Sequence, residues 1–265
     1  MSNPTPNASN VQSLLTSATA AGTLSAATSS LLTGNLGAVV IAGAAGKDAE
    51  DITASDVTLV TLLVDASSSI HDCGLEDAIR DGQNVLVDAL GDTRERESIL
   101  MALWTFNHEL RVMHSYVGLE DVTRLDKKNY AGLGSTRLYD TWVDALTANV
   151  AYAEQLRSSG TPCKSVVVVI TDGEDCGSKR RAVDCARISK DLLKSEQFTL
   201  AFVGVGGSDF RTIALDMGVP DGCVAVQAQA TPSAIRQVFR MVSQSAIRAS
   251  QGRIAPGPNA SFFSP

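Results

Sequence analysis

The residues best suited to chemistry stand in one short stretch, Asp65-Ala66-Ser67-Ser68-Ser69. Asp65, Ser67 and Ser69 are spaced two residues apart, so an extended turn directs their three side-chain oxygens toward one point. A carboxylate and two hydroxyls are hard oxygen donors of the kind that Mg²⁺ accepts. The same residue types are also common in an ordinary strand-to-helix turn with serine caps. By itself, the stretch leaves a metal site and a capped turn as equal alternatives.

Two other places in the chain present similar groups. Asp172 follows the most hydrophobic stretch, residues 166–170, and begins an Asp-Gly-Glu-Asp run. Thr136 stands in a glycine-containing loop, residues 132–140, directly ahead of a helical pattern. Whether these groups meet the first stretch depends on the elements that carry them.

The apolar patterns predict those elements. Continuous apolar runs between turn residues predict buried strands, and apolar residues at helical spacing predict amphipathic helices. The predicted strands are residues 57–65, 99–106, 110–116, 164–171, 198–205 and 223–227. The predicted helices are residues 75–90, 138–156, 180–195, a short one ending at 217, and 234–249. A tight turn at Asn107-His108 makes the third strand an antiparallel edge strand.

Strands that alternate with helices predict an α/β fold, with a doubly wound parallel sheet and helices on both faces. Right-handed connections bring the carboxyl ends of the strands to one edge, where such sheets bind ligands. Asp65 and Asp172 both end central strands, and Thr136 begins a helix on the same side. The predicted fold therefore gathers the candidate ligands on one rim and favours the metal site over the capped turn. The candidate ligands are Asp65, Ser67, Ser69, Thr136 and Asp172.

Together these motifs resemble the metal-ion-dependent adhesion site of the von Willebrand factor type A (vWA) domain. That family's pattern is Asp-x-Ser-x-Ser, a Thr in a glycine loop before a helix, and Thr-Asp-Gly after a strand. Here the matching residues are Asp65-Ala66-Ser67-Ser68-Ser69, Thr136 and Thr171-Asp172-Gly173. The resemblance covers residues 56–249. It implies a Rossmann-like, mostly parallel six-stranded sheet of order 3-2-1-4-5-6 with one antiparallel edge strand.

The resemblance also implies a role for each candidate ligand. Ser67, Ser69 and Thr136 would bind Mg²⁺ directly through their hydroxyls, and Asp65 and Asp172 would hold it largely through water. Mn²⁺ and Ca²⁺ are alternative ions. An Asp or Glu of a protein partner would take the open position, because a cation with neutral ligands attracts a carboxylate strongly.

Five Lys, Arg and His side chains near the motifs are candidate contacts for a partner. Lys179, Arg180 and Arg181 begin the helix after Asp172, where cations oppose the helix dipole. We expect them to steer an acidic partner toward the metal, although a solvated basic face explains them equally well. The remaining candidates are His71 and Arg137.

Composition narrows the classes of partner and compartment. The net charge of −7 disfavours nucleic acid, whose recognition needs clustered Lys and Arg. The apolar runs are too short to span a membrane, and the amino terminus lacks the charged region of a secretion signal. The 5 cysteines are scattered and contain no CxxC pair, which fits free thiols in a reducing cytoplasm.

The segments that flank the core differ from it in composition. Residues 1–55 are rich in Ser, Thr, Ala and Gly, and the first 46 residues carry no charge. We expect this segment to be partly disordered or to act as an assembly arm, with a weak helix over residues 11–32 and a short strand over residues 37–43. Residues 250–265 contain glycine and proline and predict an extended tail.

These features predict a recognition module and not an enzyme. It would bind a protein partner through Mg²⁺ in a multi-protein bacterial system, beside an AAA+ ATPase of the MoxR kind or in a stress or conflict system. The alternative is a structural subunit that self-associates through the N-terminal segment and vWA contacts. A metal-dependent hydrolase is less favoured: the Gly-x-Ser-x-Gly elbow is absent, and the 3 histidines offer no base placed beside a nucleophile.

Overall fold

The structure, a computed structural model, describes residues 6–34 and 36–263. Its centre is a six-stranded sheet in the order β3-β2-β1-β4-β5-β6. The strands are β1 (Val57–Asp65), β2 (Ile99–Phe106), β3 (Leu110–Gly118), β4 (Cys163–Thr171), β5 (Phe198–Val205) and β6 (Val224–Gln227). All neighbouring strands are parallel except β2 and β3, which are antiparallel. This confirms the predicted α/β fold and its strand order.

Helices cover both faces of the sheet. They are α1 (Ala8–Ala20), α2 (Ala26–Thr33), α3 (Ala38–Gly43), α4 (Ser68–Asp72), α5 (Glu76–Gly91), α6 (Leu138–Ser158), α7 (Ala182–Lys194), α8 (Phe210–Asp216) and α9 (Pro232–Ser250). Helices α5 and α9 pack on each other, and α9 contacts β1, β4 and β5. Helices α6 and α7 also pack on each other and contact the same central strands. Every residue of β1, β2 and β5 is buried, as expected for strands covered on both faces.

The N-terminal segment packs against α6 and, through α3, against the edge strand β3. Helix α1 buries Val11, Leu15 and Ala18, which share one helical face, and it packs on α6. Ser17 Oγ lies 2.6 Å from the carboxylate of Glu154 on α6. The uncharged composition thus reflects helices packed on the domain. Of residues 1–55, which we expected to be partly disordered or an assembly arm, residues 1–5 lie outside the described part and residues 8–10 already lie in α1.

The prediction of a strand over residues 37–43 is wrong, because Ala38–Gly43 form helix α3 and Gly37 is its N-cap residue. A helical turn places Val40 and Gly43 on the same face, and both are buried. A Cβ on Gly43 would collide with the indole ring of Trp104. The glycine therefore allows α3 to approach the ring closely, which the apolar run alone did not reveal.

Hydrogen bonds connect α2 to α7, and they connect Lys47 to the edge strand β3. Asp191 accepts hydrogen bonds from Ser25 and from the Thr28 hydroxyl, the latter at 2.5 Å. The backbone N–H of Lys47 donates to the carbonyl of Tyr116 on β3 at 2.8 Å. The N-terminal segment is therefore fixed to both α7 and the edge strand.

The C-terminal residues 252–263 form no helix or strand but are held against the domain. The Gly257 N–H donates to the carbonyl of Phe198 at 2.8 Å, and Phe262 is 0% exposed. All 5 cysteines are free thiols. Among the described residues, no helix is both long enough and apolar enough to cross a membrane.

Candidate metal site

The sheet brings the two acidic motifs together through its register. Val64 of β1 pairs with Ile170 of β4, so Asp65 and Thr171 end adjacent parallel strands. After β1 the chain turns directly into α4, for which Ser67 is the N-cap residue. This sharp turn keeps the serines beside the strand end from which Asp65 projects.

Five polar residues form a continuous chain of hydrogen bonds at this edge. The Ser67 and Ser69 hydroxyl oxygens are 3.0 Å apart, and Ser69 donates to Asp172 Oδ1 at 2.8 Å. Asp65 Oδ1 accepts the Ser67 N–H at 2.8 Å. Thr171 donates its hydroxyl hydrogen to the other oxygen of Asp65 at 2.5 Å. The carboxylates and serine hydroxyls therefore share one small region of space.

Thr136 joins this group from the third loop. A Cβ placed on Gly173 would lie 2.9 Å from Thr136 Oγ1 and 3.8 Å from Asp65 Oδ2. The threonine hydroxyl and the aspartate carboxylate thus face the same space, which remains open because residue 173 has no side chain. All five predicted ligands, from three separate loops, meet at the rim.

The chemistry of these groups fits a bound cation. Asp172 Oδ2 is buried and has no hydrogen-bond partner in the described part of the chain. Burial raises the pKa of Asp65 to about 7, against the opposing effect of the Thr171 and Ser67 hydrogen bonds. Burial also raises the pKa of Asp172. A divalent cation would stabilise both charged carboxylates and would take the unpaired Oδ2 of Asp172 as a ligand. The residues present therefore fit a bound cation.

Hydroxyl ligands are essential to this assignment. No group of three or more His, Cys, Asp or Glu suited to a metal occurs among residues 6–34 and 36–263. A site at this rim therefore has only two carboxylates, and Ser67, Ser69 and Thr136 supply the other protein oxygens. Such a donor set suits a hard ion such as Mg²⁺.

Further residues position the ligand loops, and sequence reasoning did not single them out. The Tyr130 hydroxyl donates to the carbonyl of Asp65, and Tyr130 is 2% exposed. The Thr136 N–H donates to the Cys176 sulfur at 3.3 Å, and the Cys176 N–H donates to the Thr136 carbonyl at 3.0 Å. These contacts join the second and third ligand loops. Their residue types carry no motif, so only the folded chain identifies them.

A buried acid fastens the loop that follows Asp172. Asp140, 2% exposed, accepts the backbone N–H groups of Lys179 and Arg180, each at 3.1 Å, and pairs with Arg137 at 2.5 Å. Burial alone raises the pKa of Asp140, but these partners together hold it below its usual value. The loop from β4 to α7 is therefore anchored at the start of α6.

The predicted partner contacts separate into two groups. The Arg180 side chain is only 13% exposed and lies 2.7 Å from Asp144, and Arg137 is held by Asp140. Arg180 does not fit the prediction that it faces a partner, because its charge is neutralised inside the protein. His71 is 66% exposed and Arg181 is 79% exposed, and Lys179 is also exposed. These three remain accessible at the surface.

This doubly wound sheet carries a hydroxyl-rich cluster of side chains at its carboxyl edge, where such sheets bind ligands. The family profile for the von Willebrand factor type A domain matches residues 60–240. The chain therefore belongs to the vWA domain family. No curated protein sequence is similar enough to count as a match.

Solved structures share the fold at low sequence identity. Proximal thread matrix protein 1 from the mussel byssus superposes with a TM-score of 0.51 at 16% identity, covering 72% of this chain and 46% of that one. The D319A mutant of the PilB minor pilin from Streptococcus sanguinis gives 0.52 at 12%, covering 76% and 63%. The pilus adhesin SpaC from Lactobacillus rhamnosus GG gives 0.53 at 12%, covering 73% and 30%. The chain thus spans less than two thirds of each of these proteins, and the likeness concerns the fold alone.

Proposed function

We propose that this protein is a metal-dependent recognition module that binds an acidic residue of a protein partner. Asp65, Ser67, Ser69, Thr136 and Asp172 would hold Mg²⁺, and the partner's Asp or Glu would complete its coordination. The protein's own residues would position the ion, with one coordination position left for the partner. A bound ion supplies the positive charge that attracts the carboxylate.

The observation that carries this proposal is the pairing of Ser69 with Asp172. Ser69 uses its one hydroxyl hydrogen on Asp172 Oδ1. Its oxygen lone pairs are then available to Ser67 and to a cation, and Ser67 must be the donor in the Ser67–Ser69 contact. Neutral hydroxyl ligands neutralise little of the ion's charge, so an additional anionic ligand is favourable.

Recognition is favoured over hydrolysis by the state of the two carboxylates. Asp65 accepts hydrogen bonds from Thr171 and Ser67, and one oxygen of Asp172 accepts from Ser69. Asp65 has both oxygens engaged and is therefore poorly placed to take a proton from an attacking water, and the remaining oxygen of Asp172 would face the ion. We therefore propose a binding protein and not an enzyme.

The setting we propose is a cytoplasmic multi-protein system of bacteria, with an AAA+ ATPase of the MoxR kind or a stress or conflict system supplying the partner. Self-association is the alternative source of the carboxylate. An assembly through a free N-terminal arm has less support, because α1 packs on α6 of the same chain. Neither nucleic acid nor a membrane is part of this proposal.

The test compares the wild type with Asp65→Ala and with the control Asp72→Ala, an exposed acid on α4. Each protein is immobilised and exposed to cell extract in Mg²⁺, in Mn²⁺, in Ca²⁺ and in chelator. We expect the wild type and the control to retain the same partner in Mg²⁺ and to release it in chelator, and Asp65→Ala to retain none. Capture of the same proteins by all three baits in every buffer would overturn metal-dependent recognition.

A further inference from the structure

Leu133 is an apolar side chain that the fold leaves in solvent beside the metal site. It is 65% exposed, the highest value among the large apolar side chains in the described part of the chain. Single exposed leucines are common on protein surfaces and need no explanation by themselves. The position and rigidity of Leu133 distinguish it from the others.

The loop that carries Leu133 is fastened to the first ligand motif by backbone hydrogen bonds. The Leu133 N–H donates to the carbonyl of Ala66, between Asp65 and Ser67, at 2.8 Å. The Ser68 N–H donates to the carbonyl of Gly134 at 2.9 Å. Leu133 is therefore hydrogen-bonded directly to the segment that carries three of the five candidate ligands.

Close packing on both sides adds to this rigidity. A Cβ on Gly132 would lie 2.7 Å from the Ser67 carbonyl oxygen and from the His71 N, so the two backbones touch. Gly134 has a φ of +77°, a left-handed conformation that favours glycine, and its α-carbon abuts the His108 ring. The Gly132 N–H also donates to Glu76 at 2.8 Å. The exposure of Leu133 is thus a fixed feature of the folded rim and does not come from a loose loop.

We propose that Leu133 is an apolar contact for the same partner whose carboxylate the metal site binds. This inference rests on the proposed function. A pre-formed apolar group loses little conformational freedom on binding, and such anchors contribute much of the affinity of an interface. The partner segment therefore combines an Asp or Glu, whose carboxylate would meet the ion, with a neighbouring apolar side chain, such as Leu, Ile, Met or Phe, that would contact Leu133.

The first experiment selects the preferred partner segment from random sequences. A display library of random linear 12-residue peptides is selected on the immobilised full chain in Mg²⁺ and eluted with chelator. We expect the eluted sequences to share an acidic residue with an apolar neighbour. Acidic sequences without that preference would overturn the inference and leave the proposed function standing. An elution that yields no acidic sequences would overturn both.

The second experiment measures the affinity of one eluted synthetic peptide for matched variants. Leu133→Gln removes the apolar surface at similar size and without charge, and Leu133→Met restores it. Leu215→Gln makes the same change at another exposed leucine, on α8. We expect Leu133→Gln to weaken binding about tenfold, and the other two to stay within about threefold of the wild type.

Titration with Mg²⁺ alone separates a direct contact from damage to the site. The three variants are expected to bind the ion as the wild type does, because the loop is held through backbone groups. Unchanged peptide affinity in Leu133→Gln, or an equal loss in Leu215→Gln, would overturn the inference. A loss of Mg²⁺ affinity that matches the loss of peptide affinity would also overturn it, since Leu133 would then act on the site and not on the partner.

Discussion

The hydroxyl of Ser69 donates a hydrogen bond to the carboxylate of Asp172 at 2.8 Å, although the two residues are 103 positions apart in the chain. The contact joins the turn after β1 to the turn after β4. It also fixes the direction of the only hydroxyl hydrogen of Ser69. The lone pairs of the Ser69 oxygen are therefore available to a bound ion. The two motifs therefore act as one unit.

Replacing Ser69 with alanine should impair metal binding without unfolding the protein. The change removes one oxygen ligand and leaves Asp172 Oδ1 without its donor. We expect Mg²⁺ affinity to fall at least about tenfold, as for other losses of a ligand or its support, measured by calorimetric titration. The control is Ser68→Ala, the exposed serine between the two ligands. An equal loss in both variants would show that the turn, and not the Ser69 hydroxyl, is responsible.

A methyl group at position 173 should occupy the open side of the site. In Gly173→Ala the added carbon would lie 2.9 Å from Thr136 Oγ1, so the buried threonine hydroxyl would have to shift. We expect Mg²⁺ affinity to fall by about tenfold. Gly207→Ala is the matched control, because a Cβ there meets nothing within 4 Å. Wild-type affinity in Gly173→Ala would place the ion away from Thr136.

The stability of the metal-free protein should depend on pH through Asp65. Its pKa is about 7 in the folded protein against 3.8 ordinarily, so the folded state binds the proton more tightly than the unfolded state. The stabilisation from this proton is therefore fully present below about pH 4 and is lost as the pH rises to about 7. The contribution of Asp65 to the free energy of unfolding should fall by about 1.4 kcal/mol per pH unit within that window.

Urea denaturation in chelator between pH 5 and 8 tests this dependence. Asp65→Asn imitates the protonated side chain and does not titrate. The difference in unfolding free energy between wild type and Asp65→Asn isolates the contribution of residue 65 from that of other groups, such as His114, whose pKa burial lowers. A difference that stays constant across the range would contradict the prediction.

The sequence predicted the sheet well because four of its strands, β1, β2, β4 and β5, are buried almost throughout. In β4, Val166 to Ile170 admit no amphipathic helix, and the acid that follows marks the strand end. The register that places Thr171 beside Asp65 then follows from the fold. The five candidate ligands were predictable for the same reason, since each stands at a strand end or helix start.

Contacts made by unremarkable residues were not predictable. The segment Gly37–Gly43 has the composition of a strand, but its burial depends on a glycine that fits the Trp104 ring. Arg180 is one of three consecutive cations, and only the folded chain shows that Asp144 neutralises it. In both cases the partner is distant in sequence and has no recognisable spacing.

The two consecutive arginines should differ sharply in their effect on stability. Arg180 is 13% exposed and pairs with Asp144, whereas Arg181 is 79% exposed. Arg180→Gln leaves a mostly buried carboxylate without its cation, and we expect a loss of about 2–3 kcal/mol. Arg181→Gln should cost less than about 0.5 kcal/mol, as at most surface sites. Chemical denaturation of both variants checks this, and equal losses would refute the assignment of Arg180 to a structural role.

The pairing of the N-terminal segment with the edge strand has a consequence for solubility. The backbone of Tyr116 exchanges hydrogen bonds with Ala45 and Lys47, and the Tyr116 ring stacks on Tyr152 at a centroid distance of 4.6 Å. Removing the segment would free these β3 backbone groups and uncover apolar surface on α6. Open sheet edges recruit strands from other molecules. The N-terminal segment therefore closes the edge of the sheet at Tyr116, and removing it should favour aggregation through β3.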